Sequence, residues 1–388
     1  MTFRTRLAVL LVSTPLVAFA VVGGLMGKTV TRDDSYRNLR IFEDVVSLVL
    51  NNYVEEVDID RVMDGAMRGL ADGLDAESSF LSSAEVTAIE RGEAPPPGDT
   101  GLDLTRQYYL RVVAARDGSP AARAGIDTGD YLRAIDGVST RDMSLYEGRR
   151  RLRGEVGSTV TLTVLRGSAA EPHQVTLTRE AVPSRVTAAR MLADGIGLIR
   201  VETFGPDVAA ALQSEVASLR QSGARALVVD VRATTGGDIE SGLEAARLFL
   251  SDVPLARRES RGRTPEIITA PKNDRVIDLP VALLVTTGTA GAGELFAAAL
   301  AGNGRATLVG ERTIGRAGVQ KLVRLPDGSG LWMTWARFLA PDGTAIHGAG
   351  LEPTIAASTP DVEFGAERPA VDPILDAALD HLRATSAR

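Results

Sequence analysis

Hydrophobic residues form three kinds of pattern along this 388-residue chain. Residues 7–27 are an uncharged and largely apolar run behind Arg4 and Arg6. Between residues 34 and 81, apolar side chains recur at the i, i+3, i+4 spacing that predicts amphipathic helices. Beyond residue 100, alternating and continuous apolar runs separated by glycine-rich turns predict strands, with helical stretches between them.

The apolar run from 7 to 27 permits two interpretations. About 20 apolar residues suffice to cross a bilayer, and the basic flank keeps the N-terminus in the cytoplasm. The tripeptide Ala18-Phe19-Ala20 equally fits the cleavage site of a secretory signal peptide. We favour the uncleaved anchor because apolar residues continue past Ala20. Residues 1–27 are therefore expected to be a membrane anchor or signal peptide. Both interpretations make the rest of the chain extracytoplasmic, on the periplasmic side of a bacterial-type cell.

Changes in the hydrophobic pattern also divide the chain beyond residue 27 into predicted domains. Three consecutive prolines at 95–97 exclude helix and mark a linker after a helical region over 34–92. A β-rich stretch follows over 100–180. From 182 to 388, strands and helices alternate, which is typical of an α/β core. The sequence therefore predicts an α/β multidomain protein with an N-terminal helical segment, a β-rich α+β domain and an α/β core around a mixed sheet.

The stretch from 280 to 320 has the most distinctive local pattern. We expect a buried strand over Val281–Val285, a turn of small residues over Thr286–Gly293 and a helix over Glu294–Ala301. A second strand is predicted over Ala306–Val309, and a glycine-punctuated loop follows it.

Composition narrows the possible functions. A net charge of −7 and a pI near 5.3 give no support for nucleic-acid binding. The chain has no cysteine, which excludes disulfides, thiol nucleophiles and thiolate metal sites. Its three histidines, His173, His347 and His381, lack ligand spacing, so no metal or other cofactor is predicted. We interpret His347 as a structural or surface residue, and the basic stretch Arg257–Arg263 as a solvated loop.

The turn and the later loop together resemble the carboxyl-terminal processing peptidases, tail-specific proteases with a serine nucleophile and a lysine base. Their turn reads G-S-A-S-A-S-E, and residues 288–294 read GTAGAGE. Their later segment reads V-G-E-x-T-F-G-K-G-x-V-Q, and residues 309–320 read VGERTIGRAGVQ. Aligned without a gap, the nucleophile position falls on Gly291, the base on Arg316 and a supporting glutamine on Gln320. The first two are 25 residues apart (316 − 291), the separation expected for the family pair.

The residues at the first two positions cannot perform that chemistry. Gly291 has no side chain with which to form an acyl-enzyme. Arg316 stays protonated because the pKa of arginine lies above ~12, whereas burial can lower that of a lysine to ~7–8. Loss of a serine nucleophile alone costs about 10⁶ in kcat. The resemblance therefore implies a catalytically impaired peptidase homologue that binds C-terminal or unfolded peptide segments, or regulates an active relative.

The sequence is also compatible with other functions and with other roles for these residues. Thr289 lies two residues before the lost serine and Thr313 lies in the base-bearing loop, so a rewired nucleophile would make an active extracytoplasmic serine-type endopeptidase. A structural oligomer subunit would instead have no affinity for peptides. Arg316 itself could be a charge on a solvated loop. Lys321 follows Gln320 directly and would point to the opposite face of a strand.

The β-rich stretch resembles a PDZ domain. Three motifs occur in the order found in the family, S-P-A-x-x-A-G-L, G-D-x-I and I-D-G, here at 119–126, 129–132 and 135–137. PDZ domains bind a peptide as an added strand and hold its terminal carboxylate on backbone N–H groups. The resemblance assigns this edge to Gly101, Leu102, Asp103 and Leu104. Asp103 stands where the family often has a second glycine, and its charge should weaken carboxylate binding.

Backbone donors are implied by the same family resemblance. The segment ending in Gly236-Gly237 resembles L-D-L-R-x-N-x-G-G. In the family, a glycine of this pair and the residue after the nucleophile form the oxyanion hole, here Gly236 and Ala292. Backbone N–H groups survive the loss of a side chain, so this hole can persist without a nucleophile. The alternative is that the two glycines only form a strand-to-helix turn.

Overall fold

The computed structural model describes residues 32–167, 171–181, 186–366 and 370–386. The expected anchor or signal peptide over 1–27 lies outside these ranges. In the part of the chain that they cover, no helix combines the length and the apolar character needed to span a bilayer. The chain divides into two compact units, Met1–Ala66 and Met67–Arg388.

The predicted helical region contains helices and one strand. Helix α1 (Arg32–Asn52) belongs to the first unit, and the unit boundary falls within α2 (Ile59–Asp72). The prediction of helical structure up to residue 81 is wrong for its last three residues, because they form strand β1 (Ser79–Leu81). Helix α3 (Ser83–Glu90) follows and begins with a capping box between Ser82 and Glu85.

The PDZ-like stretch forms a six-stranded sheet with two short helices. Its elements are β2 (Leu102–Gln107), β3 (Tyr109–Ala115), α4 (Pro120–Arg123), β4 (Tyr131–Ile135), β5 (Val138–Ser139), α5 (Leu145–Leu152), β6 (Thr159–Leu165) and β7 (His173–Thr178). The strand order is β2-β3-β4-β6-β7, with β5 paired to β4, so β2 is an edge strand. Helix α5 packs against β2, and the two elements flank a groove.

The remaining chain forms the α/β core. Its elements are β8 (Thr187–Met191), β9 (Ile196–Val201), β10 (Thr203–Phe204), α6 (Val208–Gln221), β11 (Ala226–Asp230), β12 (Gly236–Gly237), α7 (Ile239–Arg247), β13 (Pro254–Ser260), β14 (Glu266–Thr269), β15 (Val281–Val285), α8 (Ala292–Gly302), β16 (Ala306–Gly310), β17 (Gly318–Arg324), β18 (Gly330–Leu339), β19 (Ile355–Ala356) and α9 (Pro373–Ser386).

A mixed sheet with the order β19-β16-β15-β11-β9-β8 forms the centre of this core. Five of its strands are parallel, and β8 pairs antiparallel with β9. Side chains of β11 alternate between two hydrophobic clusters. Leu227 and Val229 face the cluster that contains α6, α7 and α8, and Val228 faces the cluster that contains α9. Burial on both faces explains the continuous apolar run of this strand.

A second core sheet is built around the long strand β18. Strand β17 joins it through the turn over residues 325–329, and β1 and β13 lie on its other side. The prediction of a solvated loop over residues 257–263 is wrong for Arg257 to Ser260, which lie in β13 between β14 and β18, whereas residues 261–263 form an exposed turn. Buried Leu255 and Ala256 anchor this strand, and Arg257 Nε donates to the Pro341 carbonyl oxygen at 3.0 Å.

Candidate functional site

The turn before α8 keeps a backbone conformation that suits glycine alone. Gly291 is the N-terminal cap of this helix, with φ +58° and ψ −116°. Other residues are strained at such angles. A Cβ atom at this position would meet only the Arg316 carbonyl oxygen, at 3.7 Å. The turn therefore has room for a side chain at the family's nucleophile position and carries none.

One buried carboxylate joins this turn to the loop that bears the base position. Glu294 Oε2 accepts hydrogen bonds from the backbone N–H of Gly291 (3.1 Å) and of Arg316 (2.7 Å). Its Oε1 accepts from the Gly315 N–H at 2.6 Å and from the Thr313 hydroxyl. Burial raises the pKa of Glu294, although these hydrogen bonds oppose the shift. Glu294 thus positions the two family sites relative to each other.

The two threonines considered as substitute nucleophiles are buried and hydrogen-bonded. The Thr289 hydroxyl donates to the Val231 carbonyl oxygen at 2.9 Å. The Thr313 hydroxyl donates to Glu294 and accepts from the Leu351 N–H at 2.8 Å. Both hydroxyls hold backbone segments together, so neither is placed to attack a substrate.

Arg316 is a buried and paired cation, so its interpretation as a solvated loop charge is wrong. Its side chain is 14% exposed. Nη1 lies 2.9 Å from Asp103 Oδ2, and Nε lies 3.1 Å from Glu77 Oε1 without hydrogen-bond alignment. Nη2 donates to the Leu104 carbonyl oxygen at 2.8 Å. Burial opposes the charge, but Asp103 and Glu77 outweigh it and raise the pKa of Arg316 above its usual range. It cannot act as a base.

Asp103 projects from edge strand β2 towards this loop. Its Oδ1 accepts the Leu104 N–H at 2.8 Å and lies 3.3 Å from Arg149 Nη2. Burial alone would raise the pKa of Asp103, but the charges of Arg316 and Arg149 and a hydrogen bond from Thr235 lower it to about 2. The two charged departures from the family pattern, at 103 and 316, are therefore direct partners.

A cavity of about 600 Å³ lies where the PDZ-like domain meets the core. Its wall brings together most of the residues predicted for the site, namely Gly291, Arg316, Gln320, Gly236, Ala292, Leu102 and Asp103. The wall also includes His347, which lies 3.9 Å from Asp75. Among the residues with a described position, no group of three or more histidine, aspartate or glutamate side chains is arranged to hold a metal ion.

The two positions predicted for the oxyanion hole, Gly236 and Ala292, lie in the same cavity wall as Gly291. Ala292 is the first residue of α8, so its N–H has no acceptor within the helix. Gly236 pairs with Thr203 in the short parallel pair of β12 and β10. A Cβ atom on Gly236 would lie 2.9 Å from Thr203 Oγ1, so the close approach of these strands favours glycine. The described geometry keeps both positions in the cavity wall.

Two residues predicted for the peptide-binding edge, Gly101 and Leu104, do not line the cavity. A Cβ atom on Gly101 would lie 2.1 Å from Ser119 Cβ, and its φ is +83°, so only glycine fits there. The side chain of Leu104 is fully buried in the PDZ-like core. Its backbone N–H and carbonyl are bonded to Asp103 and Arg316 respectively.

The residue at the family's glutamine position, Gln320, is bonded to the neighbouring strand. Gln320 Oε1 accepts a hydrogen bond from Trp332 Nε1 at 2.7 Å. Lys321 lies 4.6 Å from the ring centre of Trp335, at an exposed position. Gln320 therefore supports a strand pair, and Lys321 takes no part in the cavity wall.

Three charged residues near the site were not found from the sequence. Glu294 had a signal, because it closes the turn motif that ends in glutamate. Glu77 and Arg149 had none, because they come from separate parts of the chain and meet only in the folded protein, 3.5 Å apart.

Comparison with known proteins covers both domains. A model of peptidase family S41 matches residues 195–357, and a PDZ domain model matches residues 111–166. The chain is 34% identical over 277 residues to a carboxyl-terminal-processing protease of Synechocystis, covering 70% of this chain and 65% of that protein. It is 28% identical over 316 residues to carboxy-terminal processing protease CtpA of Bacillus subtilis, covering 81% of this chain and 67% of that protein.

A solved structure is also similar. The photosystem II D1 C-terminal processing protease matches with a TM-score of 0.69 and 27% identity, over 83% of this chain and 95% of that one. This match confirms the predicted fold class, an α/β multidomain protein with a PDZ domain and a peptidase core. The chain spans about two thirds of the length of the curated relatives, 65% for the protein of Synechocystis.

Proposed function

Because the chain belongs to the carboxyl-terminal processing peptidases, with an S41 core and a PDZ domain, we propose that it binds C-terminal or unfolded peptide segments without hydrolysing them. One observation carries this proposal. Gly291 has no nucleophile, and Arg316 is held as a cation between Asp103 and Glu77. Serine-type hydrolysis needs both a nucleophile and a base that can lose its proton.

Peptide binding is supported by the shape of the site. One side of the cavity is the PDZ edge strand β2, and an edge strand can accept an extended peptide through main-chain hydrogen bonds. Another part is the N-terminus of α8, where the Ala292 N–H has no acceptor within the helix and suits an oxygen of the bound segment. A chain that holds a segment in this way without cleaving it would also be suited to regulate an active relative.

We further propose that this function is exercised outside the cytoplasm. The proposal rests on the uncharged run over residues 7–27 and on Arg4 and Arg6 before it. The same run would attach the protein to the membrane if it is not cleaved.

Proteolysis of an unfolded protein tests the proposal. The full chain would be incubated with reduced and alkylated α-lactalbumin, beside the double variant Gly291→Ser, Arg316→Lys. We expect no cleavage above background by the native chain and slow cleavage by the double variant, because the variant regains a hydroxyl and a base that can be deprotonated. The same two substitutions at unrelated positions, Gly205→Ser with Arg247→Lys, provide the matched control and should be inactive.

Two results would overturn the proposal. Cleavage by the native chain that Thr289→Ala or Thr313→Ala abolishes would mean an active endopeptidase with a rewired nucleophile. Absence of peptide binding by the native chain and by every variant tested below would favour a structural subunit.

A further inference from the structure

The PDZ edge strand is already occupied at the residue where a peptide would pair. The Leu104 N–H donates to Asp103 Oδ1, and its carbonyl accepts from Arg316 Nη2, both at 2.8 Å. A β-bulge between Asp103 and Leu104 interrupts the pairing with β3 at this point. A peptide strand that bonds to Leu104 must therefore displace both groups.

We propose that Asp103 and Arg316 form a latch that closes the PDZ groove, and that a free peptide carboxylate is the ligand that opens it. In the closed state, the Asp103 carboxylate takes the backbone N–H that a terminal carboxylate would use, and Arg316 fastens it to the core. Peptide binding and the Asp103–Arg316 contact then exclude each other. The inference rests on the proposed function, because it specifies how the peptide-binding groove is controlled.

The charges of the latch explain why a carboxylate should open it. Arg316 contacts Asp103 and Glu77, and Arg149 lies 3.3 Å from Asp103 and 3.5 Å from Glu77. Two cations thus face two anions in a cluster that is buried except at Arg149. When Asp103 moves away, the two arginines share Glu77 as their remaining ion-pair contact. A terminal carboxylate restores the missing charge, whereas an amide or an internal peptide bond does not.

The shape of Arg316 suits this role better than that of a base. Its planar guanidinium reaches three acceptors on two other segments, Glu77, Asp103 and the Leu104 carbonyl. The single ammonium of a lysine could not span them in the same geometry. Thr235, also from the core, lines the same cavity as Asp103 and helps to lower its pKa. The direct contact that holds Asp103 to the core is therefore the one with Arg316.

Peptide binding to the full chain tests the latch. The probe is a fluorescein-labelled decapeptide ending in alanine-leucine-valine with a free carboxylate, and its C-terminally amidated twin serves as the reference. We expect Asp103→Asn to bind the free-carboxylate peptide at least tenfold more tightly than the native chain, with little change for the amide. Asp103→Gly should behave alike, and Arg247→Gln, which removes an arginine from surface ion pairs on α7, should match the native chain.

Hydrogen exchange tests the closed state without any peptide. Exchange of the amides of β2 should become at least tenfold faster in Arg316→Gln and remain unchanged in Arg247→Gln. Equal exchange in the native chain and in Arg316→Gln would overturn the latch. So would equal binding of the free-carboxylate peptide by the native chain and Asp103→Asn, and the proposed function would then stand. If no variant binds either peptide, the proposed function fails and so does the role assigned to the carboxylate, whatever the exchange rates.

Discussion

Residue 291 is a glycine in a backbone conformation that would strain any other residue. The left-handed φ of +58° is paired with a ψ of −116°, a combination that costs other residues on the order of 1–3 kcal/mol. The Glu294 carboxylate stabilises this conformation by accepting a hydrogen bond from the Gly291 N–H. The conformation of this turn is thus maintained by its hydrogen bond to Glu294.

Substitution of Gly291 by alanine measures this strain. We expect Gly291→Ala to lower the free energy of unfolding by about 1–3 kcal/mol, because the methyl group meets no close atom and only the backbone angles oppose it. Urea denaturation of the full chain provides the measurement. Gly205→Ala is the control, since Gly205 also has open space but no positive φ, and it should be neutral or stabilising. Equal effects of the two substitutions would contradict the strain.

The sequence could identify the site positions but not their partners. Gly291 and Arg316 were found by a fixed spacing within two local motifs, and the structure joins them through Glu294. Arg316 looked like a loop charge because its acidic partners, Glu77 and Asp103, are more than 200 residues earlier in the chain. Ion pairs over such separations leave no periodic signal.

At the scale of elements, helix α8 is the most deeply buried part of the core near the site. All residues from Ala292 to Leu300 are buried. Phe296 packs against Phe204 and Phe249, with ring centres 5.4 Å and 5.9 Å away. The helix that carries the nucleophile position is therefore fixed by aromatic packing behind it.

Truncation of Phe296 tests this packing. We expect Phe296→Ala to lower the free energy of unfolding by about 3–5 kcal/mol, because it removes a buried ring and leaves a cavity. The exposed residue Ile267 serves as the control, and Ile267→Ala should cost less than ~1 kcal/mol. Chemical denaturation measures both. Similar losses in the two variants would mean that α8 is not held by this ring.

Helices and strands were predicted well where the apolar pattern was continuous. They were predicted poorly where a strand exists only because it pairs with a distant strand. The strand Val281–Val285 was predicted with its observed bounds, since burial on both faces leaves an unbroken apolar run. Strands β1 and β13 were missed. Residues 79–81 are only three long, and Arg257 and Arg258 have the composition of a surface loop. Both strands exist because β18 supplies backbone partners, which a local pattern cannot reveal.

At the scale of the whole molecule, the PDZ domain and the core are in contact at further places besides the Asp103–Arg316 pair. Arg200 of the core lies 2.9 Å from Asp117 of the PDZ domain. Phe364, near the end of the core, stacks on His173 with ring centres 4.7 Å apart, and Arg166 Cζ lies 5.0 Å from the centre of the Phe364 ring. The types of domain could be predicted from sequence motifs, but these contacts between the domains could not.

The latch should make the stability of the molecule depend on pH. Because the pKa of Asp103 is lowered to about 2, its charge stabilises the folded chain above pH ~4, and this contribution is lost as the pH falls from ~4 to ~2. A shift of this size corresponds to on the order of 2 kcal/mol. We expect Asp103→Asn to be less stable than the native chain at pH 7, with the difference closing below pH 4.

Denaturant unfolding at a series of pH values measures this dependence. The groups that face Asp103 are Arg316, Arg149 and Thr235, with Glu77 beyond the two arginines. The exposed residue Asp361 offers a matched control, and Asp361→Asn should follow the native curve. A constant difference between Asp103→Asn and the native chain from pH 7 to pH 2 would show that the charge of Asp103 is not what stabilises the contact.

The pairing of β1 with β18 has a consequence for the time course of synthesis. Leu81 pairs with Gly330, a residue that leaves the ribosome 249 positions later (330 − 81). At about 5–20 residues per second, roughly 12–50 s pass between the two. During that interval the first strand of the core has no partner, while the PDZ domain between them can already fold. Strand β1 therefore gains its partner in the sheet only after 249 of the 388 residues have been added behind it.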